Sequence, residues 1–305
     1  MNCYSYPALY IDKIPSFSKP NPESVFHSQW LNLEKSRVRY IRVGNSEAKN
    51  TVVLMPDPPN TIEHMEELIK ILEKTFQVIA FEGAGFGFST ASLSYSFTIE
   101  DNADVIIQLL EKLNIKNAIL ALTCIAALPA LLVANKRPDI VVGLVLGQVP
   151  SLNEAKCWAK RVDFKGLIGT PYVGQILLRF LRRRLADTWY KNALLKGADR
   201  NLYTNRAVDS FRRGARFSLA SAFQALLRDR TPESELIATQ NAIVLWGTSD
   251  KTHKKTNKSS ILSLLPNGKI IELQNCAHFP DIELPKNFAE CVVEIAESLS
   301  SKNRL

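Results

Sequence analysis

Residues 117–127, Asn-Ala-Ile-Leu-Ala-Leu-Thr-Cys-Ile-Ala-Ala, begin as an apolar run and change at once to a helical pattern. The run lacks the alternation of a half-exposed strand, so it reads as a strand buried on both faces. The change falls at Thr123-Cys124-Ile125, with Ala126 and Ala127 small enough for the new helix to lie close to the strand. Such a turn lifts its side chain off the sheet edge, beside the positive end of the helix dipole. Cys124 is then a candidate nucleophile, although read alone it is equally a small buried hydrophobe. Ala126 suits the close backbone approach of such a turn, whereas Leu122, two residues before Cys124, is bulkier than the pattern wants.

The same rhythm runs through most of the chain. An exposed strand is expected at 35–43, and buried strands at 51–55, 76–81, 139–146, 241–246 and 269–273. Between them, apolar spacing predicts helices at 62–74, 98–113, from the Cys124 turn to about 134, at 261–265 and at 285–299. Strands and helices that alternate over short connections make an α/β protein with a mostly parallel sheet. Ligands of such sheets gather beyond the strand C-termini, where residues 56–59, Cys124 and Gln148 fall.

Residues 149–236 interrupt the rhythm with helical patterns and no sheet strand, which reads as an inserted cap. Residues 1–34, rich in Pro, Ser and Asn, read as an N-terminal arm. The core is expected to comprise 35–148 and 237–305. Residues 151–232 hold 17 Lys or Arg against 6 Asp or Glu, so the cap region carries +11 of the net +8 and the remainder −3. The basic character peaks in Arg179-Phe-Leu-Arg182-Arg183-Arg184, where Leu177, Leu178, Leu181 and Leu185 share the side expected to pack on the core.

Composition excludes several functions. The five Cys, at 3, 124, 157, 276 and 291, contain no close pair, and four scattered His offer no ligand spacing, so neither a disulfide framework nor a metal or other cofactor is expected. The glycines of Glu82-Gly83-Ala84-Gly85-Phe86-Gly87-Phe88-Ser89 miss the dinucleotide-binding spacing and read as a tight loop. No recognition module accompanies the basic charge, so nucleic acid is not an expected partner. No targeting or membrane-spanning segment is evident, and a cytoplasmic protein is expected.

Three reactive residues follow in the order nucleophile, acid, base: Cys124, Asp250 and His278, each just past an expected strand. At one sheet edge an imidazole can take the thiol proton while the carboxylate fixes its tautomer.

From about residue 35 to 300 the chain resembles the α/β-hydrolases, in the capped branch of haloalkane dehalogenases, epoxide hydrolases and related esterases. That family's motifs are His-Gly-x-Pro, Asp-x-Pro-Gly-x-Gly-x-Ser, Gly-x-nucleophile-x-Gly-Gly, Gly-x-x-Asp and Gly-His-Phe-Pro. The matching stretches are Pro56-Asp57-Pro58-Pro59, 82–89, Leu122-Thr123-Cys124-Ile125-Ala126-Ala127, Gly247-Thr248-Ser249-Asp250 and Ala277-His278-Phe279-Pro280. The resemblance implies an α/β-hydrolase fold with an inserted helical cap and a Cys124, Asp250, His278 triad.

The departures narrow the activity that the resemblance implies. Family members hold the oxyanion with two backbone N–H groups. Ile125 keeps one, but Pro58 occupies the other position and has no N–H. Loss of one such donor costs about 3–4 kcal/mol of transition-state stabilisation. Dehalogenases and epoxide hydrolases of this branch attack with Asp, so a Cys nucleophile is more similar to that of dienelactone hydrolase. The expected activity is a Cys-dependent hydrolase or acyl-transfer enzyme for a thioester, lactone or other activated acyl group with a hydrophobic moiety. A role in secondary metabolism, and pocket positions for Pro58, Gln148, Trp189 and Phe279, belong to this expectation. A non-hydrolytic cyclase or lyase, and a catalytically silent binding protein, stay open beside it. Phe180, Trp189, Tyr190, Phe211, Phe217 and Phe223 give the cap enough large side chains for an apolar cavity, and its charge suits an acyl substrate presented by an acidic carrier. Weak contact with an anionic membrane surface is the further partner considered, and no oligomeric state is implied.

Overall fold

The computed structural model describes residues 24–163, 165–211 and 216–302. Residues 1–23 of the expected arm, Cys3 among them, and the Phe217 side chain lie outside the described residues. Nine strands form one sheet among the described residues: β1 (Gln29–Asn32), β2 (Ser36–Gly44), β3 (Thr51–Met55), β4 (Gln77–Phe81), β5 (Thr90–Ala91), β6 (Ala118–Thr123), β7 (Val141–Gly147), β8 (Asn241–Gly247) and β9 (Gly268–Leu273). Their order is β1-β2-β4-β3-β6-β7-β8-β9, with β5 paired to β2. Pairs β1·β2, β2·β4 and β2·β5 are antiparallel and those from β4 to β9 parallel.

The continuous apolar runs of β3, β4 and β6 are buried at every position, as expected of strands covered on both faces. One face is covered by α1 (Glu66–Leu72) and α8 (Pro285–Lys302), the latter bringing Phe288, Val292 and Ile295. The other is covered by α2 (Ile99–Lys112) and α3 (Ala127–Lys136). Thr98 caps α2 by accepting a hydrogen bond from the Asp101 N–H, which satisfies an otherwise orphaned donor.

Residues 29–32, at the end of the expected N-terminal arm, join the sheet. They pair with β2 in a short edge strand whose side chains are mostly exposed, and QWLN carries no alternation that marks it as a strand. Between β7 and β8 stand α4 (Leu152–Val162), α5 (Val173–Ala193), α6 (Arg200–Ser210) and α7 (Arg216–Arg228), the inserted helical cap. It is tied to the sheet edge by a hydrogen bond from His278 N–H to the Ala193 carbonyl, at 2.9 Å, and one from the Tyr190 hydroxyl to Asn60 Oδ1, at 2.8 Å.

The tight loop after β4 behaves as its glycines require. Gly85 and Gly87 have φ of 80° and 53°, and a Cβ on Gly87 would collide with the Glu82 carboxylate. That carboxylate accepts a 2.6 Å bond from Phe88 N–H and pairs with the buried Arg39, which also binds Glu63.

Candidate active site

The apolar strand β6 ends at Thr123, and Cys124 follows at φ 52° in the left-handed region, opening a short 3-10 turn that becomes α3. A non-glycine residue held there carries backbone strain that the surrounding packing sustains. The geometry presents the thiol at the sheet's C-terminal edge, with the Ile125 N–H facing the sulfur. Leu122 is fully buried within β6, so its bulk is accommodated in the core.

Asp250 follows β8 and His278 follows β9. Gly247 makes their approach possible, since a Cβ there would strike the carbonyl of Ala277. Asp250 Oδ2 lies 2.7 Å from His278 Nδ1. The Cys124 sulfur and ring nitrogens of His278 and His253 lie within 4.8 Å of one another. With Nδ1 donating to Asp250, Nε2 of His278 is turned to the thiol side and has no partner within hydrogen-bond range.

Asp250 is heavily supported. It accepts from Gln148 Nε2 at 2.7 Å and from the Thr252 N–H and hydroxyl at 2.7 and 2.8 Å, besides His278. Burial opposes its ionisation, but His278 and these donors hold it below the usual carboxylate range. Burial likewise opposes a charge on His278, yet neighbouring Cys124 and Asp250 raise it well above an ordinary imidazole. Burial, with Asp57 beside it, pushes the Cys124 thiol up to about 11. For attack the thiol proton must pass to His278, whose charged form Asp250 stabilises.

The candidate pocket residues separate. Pro58 and Ile125 line a partly open pocket of about 50 Å³ with Met55, Phe86, Phe97 and Leu226. Gln148, fully buried at φ 48°, bridges Asp250 and the Gly247 N–H, which donates to its Oε1 at 2.6 Å. Trp189 and Phe279 pack edge-on to the His278 ring, with centroids 5.1 and 4.9 Å away. Phe180 is corrected as a cavity aromatic, because it is 75% exposed on the outer face of α5.

Four further residues converge here. Asp57, just past β3, is 2% exposed and places Oδ2 3.7 Å from His278 Nε2. A carboxyl standing at the family's glycine position was its signal in the sequence. Asp281, three residues after His278, is buried, and burial raises its carboxyl to about 7. His253, within what reads as a polar connection, stacks against both Trp158 and His278, at 4.9 and 5.3 Å, and those two rings lie 6.0 Å from each other. Burial, with His278 nearby, lowers it to about 3. Trp158 comes from α4 and is buried, and nothing in the sequence singled it out.

The sequence offers no ligand spacing, yet folding gathers three donors at Cys124, His253 and His278. The two rings lie nearly parallel, at 21°, so they share no nearby in-plane point, and Nδ1 of His278 is engaged by Asp250. This suits a stacked neutral imidazole better than a metal centre with convergent ligands.

Residues 59–283 match the family described as alpha/beta hydrolase fold. The chain belongs to that family. Haloalkane dehalogenase 2 of Mycobacterium tuberculosis is 23% identical over 293 residues, spanning 90% of this chain and 97% of that protein. A loop variant of a haloalkane dehalogenase from Bradyrhizobium elkanii superposes with a TM-score of 0.73 at 17% identity, over 92% of this α/β-hydrolase and 100% of the other chain. An epoxide hydrolase from Bacillus megaterium gives a TM-score of 0.69 at 19% identity, over 88% and 100%.

Proposed function

We propose that this α/β-hydrolase is a Cys-dependent hydrolase or acyl-transfer enzyme for a thioester, lactone or other activated acyl group carrying a hydrophobic moiety. Cys124 acts as nucleophile, His278 as base, Asp250 as the residue that orients it, and Ile125 as an oxyanion donor. The observation that carries this reading is a thiol on a positive-φ turn within 4.8 Å of an imidazole whose other nitrogen is held by an ionised, multiply hydrogen-bonded carboxylate. In the reaction the Sγ–C bond forms, the acyl bond to the leaving sulfur or oxygen breaks, and the thiol proton passes through His278 Nε2 to the leaving group. Water or an acceptor nucleophile then releases the acyl group. Activated acyl groups suit the site because Pro58 supplies no second backbone donor.

The reading takes 35–148 and 237–305 as the catalytic core and 149–236 as the cap that shields it, with Trp158 and Trp189 packed over His278. The hydrophobic moiety is assigned to the apolar cavity beside Ile125 and Pro58. An acidic carrier is the proposed donor, supported by the charge of the cap.

Trapping tests the proposal. Incubation with medium-chain acyl thioesters, strained lactones and activated aryl esters should leave an acyl adduct on the Cys124 peptide, and Cys124→Ala should lose it together with turnover. Peptide mapping is needed because Cys157 is exposed and free. Wild-type turnover that persists in Cys124→Ala would sink the assignment. A second reading, a cyclase or lyase that forms no acyl-enzyme, is favoured by the buried Asp57 carboxyl at His278, and substrate conversion without an adduct would select it.

A further inference from the structure

The two carboxyl groups that face His278 sit in opposite environments. Asp250 receives hydrogen bonds from Gln148, from the Thr252 N–H and hydroxyl, and from His278, all at 2.7 or 2.8 Å. Asp57 is equally buried, but its Oδ1 has no partner, and its Oδ2 lies 3.7 Å from His278 Nε2. A buried carboxylate with so few donors carries a desolvation cost that protonation removes. His278 and the Cys124 side chain favour a charge on Asp57, but burial outweighs them, and Asp281, whose negative charge would disfavour a second one, and Tyr190 complete this corner. The position of Asp57 matters as much as its state. It immediately precedes Pro58, the residue that lacks the family's second oxyanion N–H, and it faces the Cys124 sulfur.

We propose that Asp57 is a catalytic residue held as the neutral acid, whose O–H donates to the carbonyl oxygen of the acyl group in place of the missing backbone donor. The inference rests on the acyl reading above. It lets one site supply a side-chain donor to the developing oxyanion from Asp57 and a free Nε2 base from His278, with Ile125 N–H as the other donor. Environments that drive neighbouring carboxyls apart are a recurrent route to such paired roles.

The direction of the Asp57 shift, upward with burial as its main cause, agrees with this assignment. Acylation should fall as pH rises through that raised value, because ionisation removes the donor and places a negative charge at the oxyanion.

Two measurements test it. Infrared difference spectra of the intact protein near neutral pH should show a protonated-carboxyl C=O band that is lost in Asp57→Asn and retained in Asp281→Asn. In single-turnover acylation, Asp57→Asn, which keeps a donor, should stay within about tenfold of wild type and lose the alkaline decline. Asp57→Ala should fall by about 10²–10³-fold, the usual cost of a lost oxyanion donor. Absence of an Asp57-dependent band overturns the inference, as does an Asp57→Asn that is as slow as Asp57→Ala. Should Asp57→Asn not fold, Asp57→Thr, with a hydroxyl donor, supplies the reference spectrum and the retained rate. A band without any acyl-enzyme sinks the parent reading, whereas an acyl-enzyme without the band sinks only this one.

Discussion

A single side chain, Gln148, shows how the site is stiffened from behind. Its amide is fully buried, donates to Asp250 and accepts from Gly247, so both ends are committed to holding the acid loop. Gln148→Leu would strip a donor from Asp250 and orphan the Gly247 N–H, at a cost of about 1–3 kcal/mol measurable by urea denaturation. An unchanged midpoint would mean that the bridge is not formed. His253 gives a second residue-scale test. It is lowered to about 3 and His64 to about 4, both chiefly by burial, so the folded state binds fewer protons than the unfolded one. Stability is therefore fullest above the unfolded imidazole value of about 6.5 and is lost as pH falls from there towards the folded values. His253→Phe, which keeps an aromatic ring against Trp158 and His278, should make the fall in Tm between about pH 6.5 and 4.5 shallower. An identical slope would show that His253 is not held neutral.

At the scale of elements, the sequence carried what a periodic pattern can carry. Apolar runs without alternation located the central strands, and the abrupt change of pattern at Cys124 located the turn that the fold builds there. The edge strand at 29–32 was not legible, since four residues of mixed polarity acquire their pairing only from β2. The outer face of α5 was misjudged for a related reason. Leu177, Leu178, Leu181 and Leu185 define an apolar side, yet Ile176 and Phe180 are apolar too, and sequence spacing cannot say which stripe meets the core. Leu178 is buried, while Leu181, Ile176 and Phe180 are 38%, 56% and 75% exposed. His253 and Asp281 were hidden because their roles arise where separate loops meet, and Asp57 showed only as a carboxyl at the family's glycine position. Arg39 joins such loops: buried between Glu63 and Glu82, it links β2 to the segments after β3 and β4. Despite burial, Arg39 holds Glu63 down at about 2, while burial leaves Glu82 at about 7. Arg39→Met would abandon buried acids and should cost about 3–5 kcal/mol. A loss below about 1 kcal/mol in chemical denaturation would place these groups in water instead.

For the molecule as a whole, charge and apolar exposure meet on the cap. The insertion carries the entire positive balance, and α5 leads with exposed Val173, Ile176 and Phe180 before Arg183 and Arg184 on the same outward side. None of the described helices is long and apolar enough to cross a membrane. A face of this kind fits an anionic partner that also offers apolar contact, which agrees with the proposed acyl donor on an acidic carrier. The field of exposed guanidinium groups acts on encounter more than on the bound state, so its signature is kinetic. Reversing Arg182, Arg183 and Arg184 to Glu should slow capture of an acyl-carrier donor at low ionic strength. The gap should close in high salt, as the Debye length contracts from about 30 Å at 0.01 M to about 3 Å at 1 M. Replacing Ile176 and Phe180 by Ser should instead speed dissociation at either salt concentration, because short-range apolar contact is not screened. Stopped-flow measurement with both variants separates the two contributions. Anionic vesicles as a parallel probe distinguish a lipid surface from a carrier protein. Equal capture by wild type and the triple Glu variant at low salt would reduce the arginine cluster to a solvated face and remove the case for an anionic donor.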